Sequence, residues 1–149
     1  VSIRTALKLP TGNAGHFYGS GNPDMGFGLA AEKGFAGRWV VYANLNGVLP
    51  TGRIAGLALH PTISGLIAVE YLWSENFSLT AQFDYYSTPF RGVGTRVLDR
   101  GVTESVAGFS YRLTQHLLWQ GYAVENVDFI TGSAADVTVS TLLTYRFEP

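Results

Sequence analysis

Two histidines in long polar segments are the first candidates for chemistry, because histidine is the usual general base near neutral pH. His16 has Ser20 and Asp24 close after it, and His60 lies in another such segment. Serine, histidine and an acid are the parts of a hydrolase, so a surface lipid hydrolase is one alternative function. No regular element positions either histidine beside a serine, however. We therefore expect no enzyme activity and assign no catalytic residue.

Metal and cofactor chemistry have little support in the sequence. A metal site needs converging histidine, cysteine or carboxylate ligands, but the chain has three dispersed histidines and no cysteine. The third histidine, His116, is expected to be only a turn residue. The segment "GSGNPD" carries glycines but no lysine that would hold a phosphate. We expect no metal and no cofactor, and a net charge of −1 gives no reason to expect nucleic acid as a partner.

A cluster of arginines in "TPFRGVGTRVLDRG" suggests a different role, which is contact with anionic lipid. Three arginines stand there against Asp99, and guanidinium groups form charge-assisted hydrogen bonds with phosphates. These possible contacts for lipopolysaccharide are Arg91, Arg96 and Arg100. The alternative is a solvated loop whose charges bind nothing specific.

The elements that would position these residues are β-strands, because apolar and polar residues alternate with a period of two and amphipathic helix patterns are lacking. In "FSLTAQFDYY", for example, apolar Phe77, Leu79 and Phe83 alternate with polar Thr80 and Gln82. Eight segments show this alternation: Val1–Leu9, Met25–Lys33, Trp39–Leu49, Thr62–Trp73, Phe77–Ser87, Val102–Leu113, Leu117–Val124 and Val137–Phe147. The run from Ile54 to Trp73 is apolar but is interrupted by polar residues and Pro61, so we expect no transmembrane helix.

The connections between these segments alternate in length. Tight ones are expected at 34–38, 74–76 and 114–116, and long ones rich in Gly, Pro, Asn and Asp at 10–24, 50–61, 88–101 and 125–136. An up-and-down meander then has its short turns at one end and its long loops at the other. Outer-membrane barrels show this asymmetry between periplasmic turns and external loops.

Aromatic residues indicate which medium the apolar side meets. In a soluble barrel the apolar side chains would point inward. All three tryptophans, however, fall at the tight-turn end together with other aromatic residues, as the headgroup region of a membrane selects. This predicted periplasmic-side girdle consists of Trp39, Trp73, Phe77, Tyr111, Trp119, Tyr145 and Phe147.

Ionisable residues fall on the polar side of the pattern, where a barrel encloses them. Buried charges are costly unless they pair, so we expect two internal clusters of salt bridges at different heights. The periplasmic cluster would contain Arg4, Glu32, Glu70, Arg112 and Arg146, and the cluster nearer the loops Lys8, Asp84 and Glu104.

The chain has 149 residues, enough for one domain, and only 14% of them are charged. We predict an all-β fold, a single domain over residues 1–149 that forms an eight-stranded antiparallel up-and-down transmembrane β-barrel. Its first and last strands, ending at Val1 and Phe147, would meet to close the sheet. A ring of eight strands is about filled by its own side chains, so the lumen would not be a wide pore.

This plan resembles the small eight-stranded outer-membrane barrels of the OmpA/OmpX type. The last strand, "VTVSTLLTYRF", is similar to the terminal strand that the outer-membrane insertion machinery reads. The run "LKLPTGN…GSGNPDMGFGLA" looks like pieces of proteobacterial outer-membrane families of unassigned role, some linked to aromatic-compound degradation. The resemblance implies a location in the bacterial outer membrane, with membrane lipid and the insertion machinery as partners. The expected role is structural or mediated by the loops, and the main alternative is a channel for small solutes or hydrophobic compounds, in a larger barrel if chains combine.

Overall fold

The computed structural model describes residues 1–12, 21–54, 56–95, 98–127 and 137–147. These residues form β-strands and no regular helix. The strands are β1 (Ser2–Lys8), β2 (Asp24–Phe35), β3 (Trp39–Pro50), β4 (Arg53–Ile54), β5 (Leu57–Ala58), β6 (Thr62–Leu72), β7 (Phe77–Tyr86), β8 (Val102–Arg112), β9 (Leu117–Asn126) and β10 (Val137–Tyr145).

The eight longer strands form one antiparallel sheet in the order β1-β2-β3-β6-β7-β8-β9-β10. Each strand pairs with the next long strand along the chain, which confirms the predicted all-β, up-and-down arrangement. Six of the eight strands begin at the predicted residue, and the other strand ends differ from the prediction by one or two residues. For example, β2 runs from Asp24 to Phe35 rather than from Met25 to Lys33.

The tight turns lie together at one end of this sheet. Between β2 and β3, Ala36 and Gly37 both have positive φ values, 47° and 69°. Two consecutive residues with positive φ form a type I′ turn, whose twist matches the right-handed twist of the flanking strands. Between β6 and β7, the Ser74 hydroxyl accepts a hydrogen bond of 3.1 Å from the Phe77 amide. The end that carries these turns is called the turn end below, and the opposite end the loop end.

The second long connection contains a structure that the sequence pattern did not reveal. Strands β4 and β5 pair with each other as a separate two-stranded hairpin. Gly56 turns this hairpin with a φ of 82°, which glycine adopts at little cost. Near its end, the His60 amide donates to the carbonyl oxygen of Pro89 at 2.8 Å. The second and third long connections therefore touch at the loop end.

The register gives the sheet two faces of opposite character. In every pair of neighbouring strands, odd-numbered residues lie opposite odd-numbered residues and even opposite even. Since side chains alternate along a strand, the odd-numbered ones share one face throughout the sheet. That face carries most of the large hydrophobic side chains and is called the apolar face. The even-numbered face carries the ionised groups of the sheet's strands except Lys33 and Glu125 and is called the polar face.

The apolar face is the exposed one. Phe83 keeps 57% of its surface exposed, Ile67 55% and Leu45 55%, whereas Ser78 and Asp84 on the polar face keep 6% each. A water-soluble barrel encloses its apolar side chains, so this is the reverse of the arrangement that a soluble barrel requires. The predicted division of the strands into an apolar and a polar side agrees with this structure.

The described strands do not close into a ring. The sheet begins at β1 and ends at β10, and no paired positions join these two strands within the described residues. Both faces of β1 are exposed. The expected junction between the strands that end at Val1 and Phe147 is therefore not formed in this structure. What the structure establishes is an eight-stranded up-and-down sheet with two edges.

The strands are staggered as well. Directly paired positions lead from Ser2, the first residue of β1, across the sheet to Glu104 and then to Asn126, the last residue of β9. Ser2 lies at the turn end of β1, whereas Asn126 lies at the loop end of β9. The direct partners are therefore displaced along the strands from one side of the sheet to the other. Strands that tilt in this way are a requirement for curling a sheet around an axis.

Candidate functional site

The polar face holds a network of hydrogen bonds around Glu70 in β6. Its carboxylate accepts one bond from the Tyr42 hydroxyl at 2.7 Å and another from the Ser78 hydroxyl at 2.5 Å. Tyr42 stands on β3 and Ser78 on β7, so this one acid links three neighbouring strands. An enclosed carboxylate is stabilised when donors satisfy its oxygens, and here neutral hydroxyls do so.

A polar pocket of about 400 Å³ lies nearer the loop end of the same face. Asp84 in β7 is its most enclosed ionisable residue and accepts a hydrogen bond of 2.7 Å from the Gln82 amide. Glu104 in β8 lies directly opposite Asp84 in the register. The pocket is also lined by Gln120 and Tyr122 of β9. This part of the polar face is acidic.

The structure places all eight predicted cluster residues at even-numbered positions, seven within strands of the sheet and Arg146 just after β10. The expected pairing is not observed. Within the described residues one ion pair lies within 4 Å, between Lys8 and Asp24, and Asp24 was not predicted to take part. The guanidinium of Arg4 instead donates to the Asn44 side chain at 2.7 Å. Among the described bonds, Arg4, Glu70 and Asp84 thus contact neutral neighbours, and Lys8 pairs with an acid outside its predicted cluster.

The residues of the predicted aromatic girdle lie at the turn end of the sheet. Five of them stand at odd-numbered positions within strands, Trp73 directly follows β6, and Phe147 lies two residues after the end of β10. Ring contacts connect parts of the girdle. Trp39 packs on Tyr71 with ring centroids 4.6 Å apart, and Phe77 lies 6.2 Å from Tyr111. The Trp119 ring packs edge-on against Phe109 at 4.9 Å. Tyr71 and Phe109 are members that the sequence analysis did not assign, although their odd positions near the turns could have identified them.

The arginine-containing third connection is organised by its acid. The Asp99 carboxylate accepts hydrogen bonds from the amides of Val93 at 2.9 Å and Gly94 at 3.1 Å. Asp99 therefore serves the backbone rather than the arginines, and no described carboxylate lies within 4 Å of Arg91 or Arg100. Both arginine side chains are exposed. The third arginine of the predicted cluster, Arg96, lies outside the described residues.

The candidate hydrolase residues are not brought together in the described part of the chain. Asp24 forms the ion pair with Lys8 and also accepts a bond of 3.1 Å from the Thr51 amide. His60 lies in the second connection, bonded to Pro89 through its backbone. His16 and Ser20 lie outside the described residues. His116 stands in the tight turn before β9, as expected.

Comparison with known proteins gives one match. A family model described as "Protein of unknown function (DUF3187)" matches residues 1–147. The chain belongs to the DUF3187 family. None of the curated proteins and none of the solved structures matches this DUF3187 chain.

Two structural features of the DUF3187 chain bear on its site. Helices long and apolar enough to cross a membrane are not found among the described residues. In the same part of the chain, no three histidines or carboxylates come close enough together to hold a metal ion. The candidate functional features described above are the exposed apolar face, the acidic pocket of Asp84, and the exposed Arg91 and Arg100 of the third connection.

Proposed function

We propose that this DUF3187 chain forms the wall of a β-barrel in the bacterial outer membrane. In this proposal the apolar face contacts lipid and the polar face lines the lumen. The loop end faces outward and the turn end faces the periplasm. The observation that carries the proposal is the inverted distribution of side chains on the inner strands, with large hydrophobic residues such as Phe83 exposed on one face and polar residues such as Ser78 and Asp84 enclosed on the other.

Strand length supports this proposal. Seven of the eight strands of the sheet contain 9 to 12 residues. A tilted transmembrane strand needs about 9–11 residues to cross the hydrocarbon core. The strands are therefore long enough to span a bilayer.

The aromatic residues at the turn end give a second line of support. Tryptophan and tyrosine favour the interface between hydrocarbon and headgroups, where the ring is in an apolar medium and its polar atom is not. The Trp119 indole nitrogen already donates to the Thr141 hydroxyl at 2.8 Å. Its polar atom is thus satisfied within the protein even where lipid surrounds the ring.

A pair of arginine substitutions in β7 tests the proposal. Phe83 stands on the apolar face and Gln82 on the polar face of the same strand. An arginine near the middle of the bilayer costs about 2–4 kcal/mol on a lipid-facing position. We expect Phe83→Arg to lower the free energy of unfolding in lipid vesicles by that amount or to prevent insertion, whereas Gln82→Arg is tolerated.

The two variants control for each other, since the new side chain is the same and the positions are adjacent. Folding is measured by the shift in gel mobility of unheated samples and by denaturant unfolding in vesicles. Equal losses in both variants, or a larger loss for Gln82→Arg, would contradict the assignment of the faces.

A specific observation also favours the channel as a second candidate function. The described strands leave β1 and β10 as edges rather than joining them, and none of the described side chains is fully buried. An eight-stranded ring would be filled by its own side chains. If further strands, such as those of a second copy, complete the ring, the polar face would line a wider lumen that passes small solutes.

Electrical recording separates a filled barrel from a conduit. The conduit predicts steady single-channel openings when the purified protein is added to a planar bilayer. A filled eight-stranded ring predicts bilayers that stay closed. The second candidate is abandoned if inserted protein, detected in the same membrane by its protection from protease, gives no openings.

The exposed arginines of the third connection fit a contact with lipopolysaccharide, which we include in the proposal as a role of the loop end. Arg91 and Arg100 have no described carboxylate within 4 Å, so their guanidinium groups are available to phosphates of the outer leaflet. Such a contact would fix the height of the barrel in the membrane.

A further inference from the structure

A second pocket on the polar face lies at the turn end, where Arg112 stands eight residues along β8 from Glu104 of the acidic pocket. Its volume is about 400 Å³. Its lining contains the polar and basic residues Arg112, Thr114, Gln115, His116, Thr144 and Arg146, together with Leu117 and Leu118. Among the described residues no acidic one lines it, in contrast to the pocket of Asp84 and Glu104.

The strands hold the basic residues around this pocket at known positions. Arg112 ends β8, and the register places it opposite Leu118 of β9, which lies opposite Thr144 of β10. His116 and Arg146 come two residues further toward the turn end, where the Arg146 amide donates to the His116 carbonyl oxygen at 2.8 Å. Neighbouring strands are about 4.8 Å apart, so β8 and β10 are separated by roughly 10 Å. The long side chains of the two arginines can therefore reach one small group held between them.

The charges of this pocket are not neutralised by the described residues. Neither Arg112 nor Arg146 has a described carboxylate within 4 Å. Arg112 also lines a neighbouring pocket that contains Glu70. The carboxylate of Glu70, however, is already bonded to the hydroxyls of Tyr42 and Ser78. The Nδ1 atom of His116 is enclosed and has no hydrogen-bond partner.

We propose that this pocket binds an oxyanion of the phosphate type. Guanidinium groups match the oxygens of a phosphate in pairs, and the hydroxyls of Thr114 and Thr144 offer further donors. His116 lies beside them in the lining of the same pocket. The ligand is either a dissolved phosphate or the phosphate of a lipid headgroup, since both present the same oxygens. This site goes beyond the barrel proposal and does not depend on it.

Calorimetric titration of the full chain in an uncharged detergent tests the site, with inorganic phosphate as the probe. We expect saturable binding at up to about 10 mM phosphate. Arg112→Gln and Arg146→Gln should each weaken binding about tenfold or more, because each removes a charged pair of donors. Arg112→Lys keeps the charge but not the fork of donors, so it should give a smaller loss.

Arg38→Gln is the matched control, because Arg38 is an exposed arginine at the same end of the sheet that does not line the pocket. Its binding constant should equal that of the unaltered chain. The gel-mobility shift of each variant establishes that it has folded before it is titrated.

A parallel titration with a short-chain phosphatidylglycerol identifies the source of the phosphate. Binding of inorganic phosphate that is lost in the pocket variants supports a dissolved ligand. Binding of only the lipid, lost in the same variants, supports a headgroup. The site is overturned if neither probe binds saturably, or if Arg38→Gln weakens binding as much as the pocket substitutions do.

Discussion

At the scale of single residues, the least expected feature is a pair of acids facing each other across two strands. Asp84 and Glu104 are direct partners in the β7–β8 register and share the polar face. Like charges directly opposite each other destabilise an antiparallel pair. Asp84 is supported by Gln82, but within the described residues no basic group lies within 4 Å of either acid. The sheet thus keeps an unfavourable pair at the acidic pocket.

Neutralising one member of this pair should stabilise the protein. We expect Glu104→Gln to raise the free energy of unfolding by about 0.2–1 kcal/mol, because it removes the repulsion from Asp84. The measurement is the denaturant midpoint in vesicles or detergent. Glu32→Gln is the control, since Glu32 lies on the same face opposite Tyr42 rather than opposite an acid. A decrease in stability for Glu104→Gln would show that Glu104 has a favourable partner instead.

The partners of individual charges could not be read from the sequence. The alternation of residues correctly assigned Glu70 and Arg112 to the same face, but face alone does not select a partner. Glu70 has hydroxyls on both neighbouring strands, and these took its two oxygens. Such a choice depends on register and side-chain rotamers, which the pattern of polar and apolar residues does not encode.

At the scale of the elements, the strands and tight turns were predictable and the long connections were not. A period of two in side-chain character is set by the strand backbone itself, so β7 could be recognised from "FSLTAQFDYY". The β4–β5 hairpin escaped notice because two-residue strands are too short to show any period. Its turn glycine, Gly56, was the only local signal.

The third connection owes its shape to Asp99 more than to its arginines. Besides the two bonds to Asp99, the Thr88 hydroxyl donates to the Leu98 carbonyl oxygen at 2.6 Å. These bonds tie the two arms of the connection together near the strands. Asp99 and Thr88 thus hold the described part of this connection, together with the bonds that the Leu98 and Asp99 amides donate to the Thr95 carbonyl oxygen.

Removing the acid should open the loop. We expect Asp99→Ala to increase the rate of trypsin cleavage after Arg91 roughly tenfold, because the loop loses two charge-assisted hydrogen bonds. Cleavage after Arg53, in the β4–β5 hairpin, serves as the reference within the same digest. Asp99→Asn keeps one acceptor and should lie between the two. An unchanged rate after Arg91 would mean that the bonds of Asp99 do not hold the loop.

At the scale of the whole molecule, the two faces of the sheet decide the medium in which it is stable. A chain with exposed Phe83, Ile67 and Leu45 in the middle of its strands would leave a large apolar area in water. Lipid removes that cost without any change in the fold. The same reasoning explains why the polar face can hold charges, since water or hydrogen-bond partners remain available there.

Closure between the first and last strands is the part of the predicted fold that the described strands do not show. Alternation fixes which side of each strand points inward, but it is the same for a ring of eight strands and for a larger one. The stagger from Ser2 to Asn126 is compatible with either.

The most direct test of the account is a spin-label scan along β7 in lipid vesicles. The chain contains no cysteine, so single cysteines can be introduced and labelled at Leu79, Thr80, Ala81, Gln82 and Phe83 without competing thiols. The account predicts that oxygen, which concentrates in lipid, relaxes the labels at 79, 81 and 83. A water-soluble nickel chelate should instead relax those at 80 and 82. The reverse alternation, or none, would contradict the assignment of the apolar face to lipid.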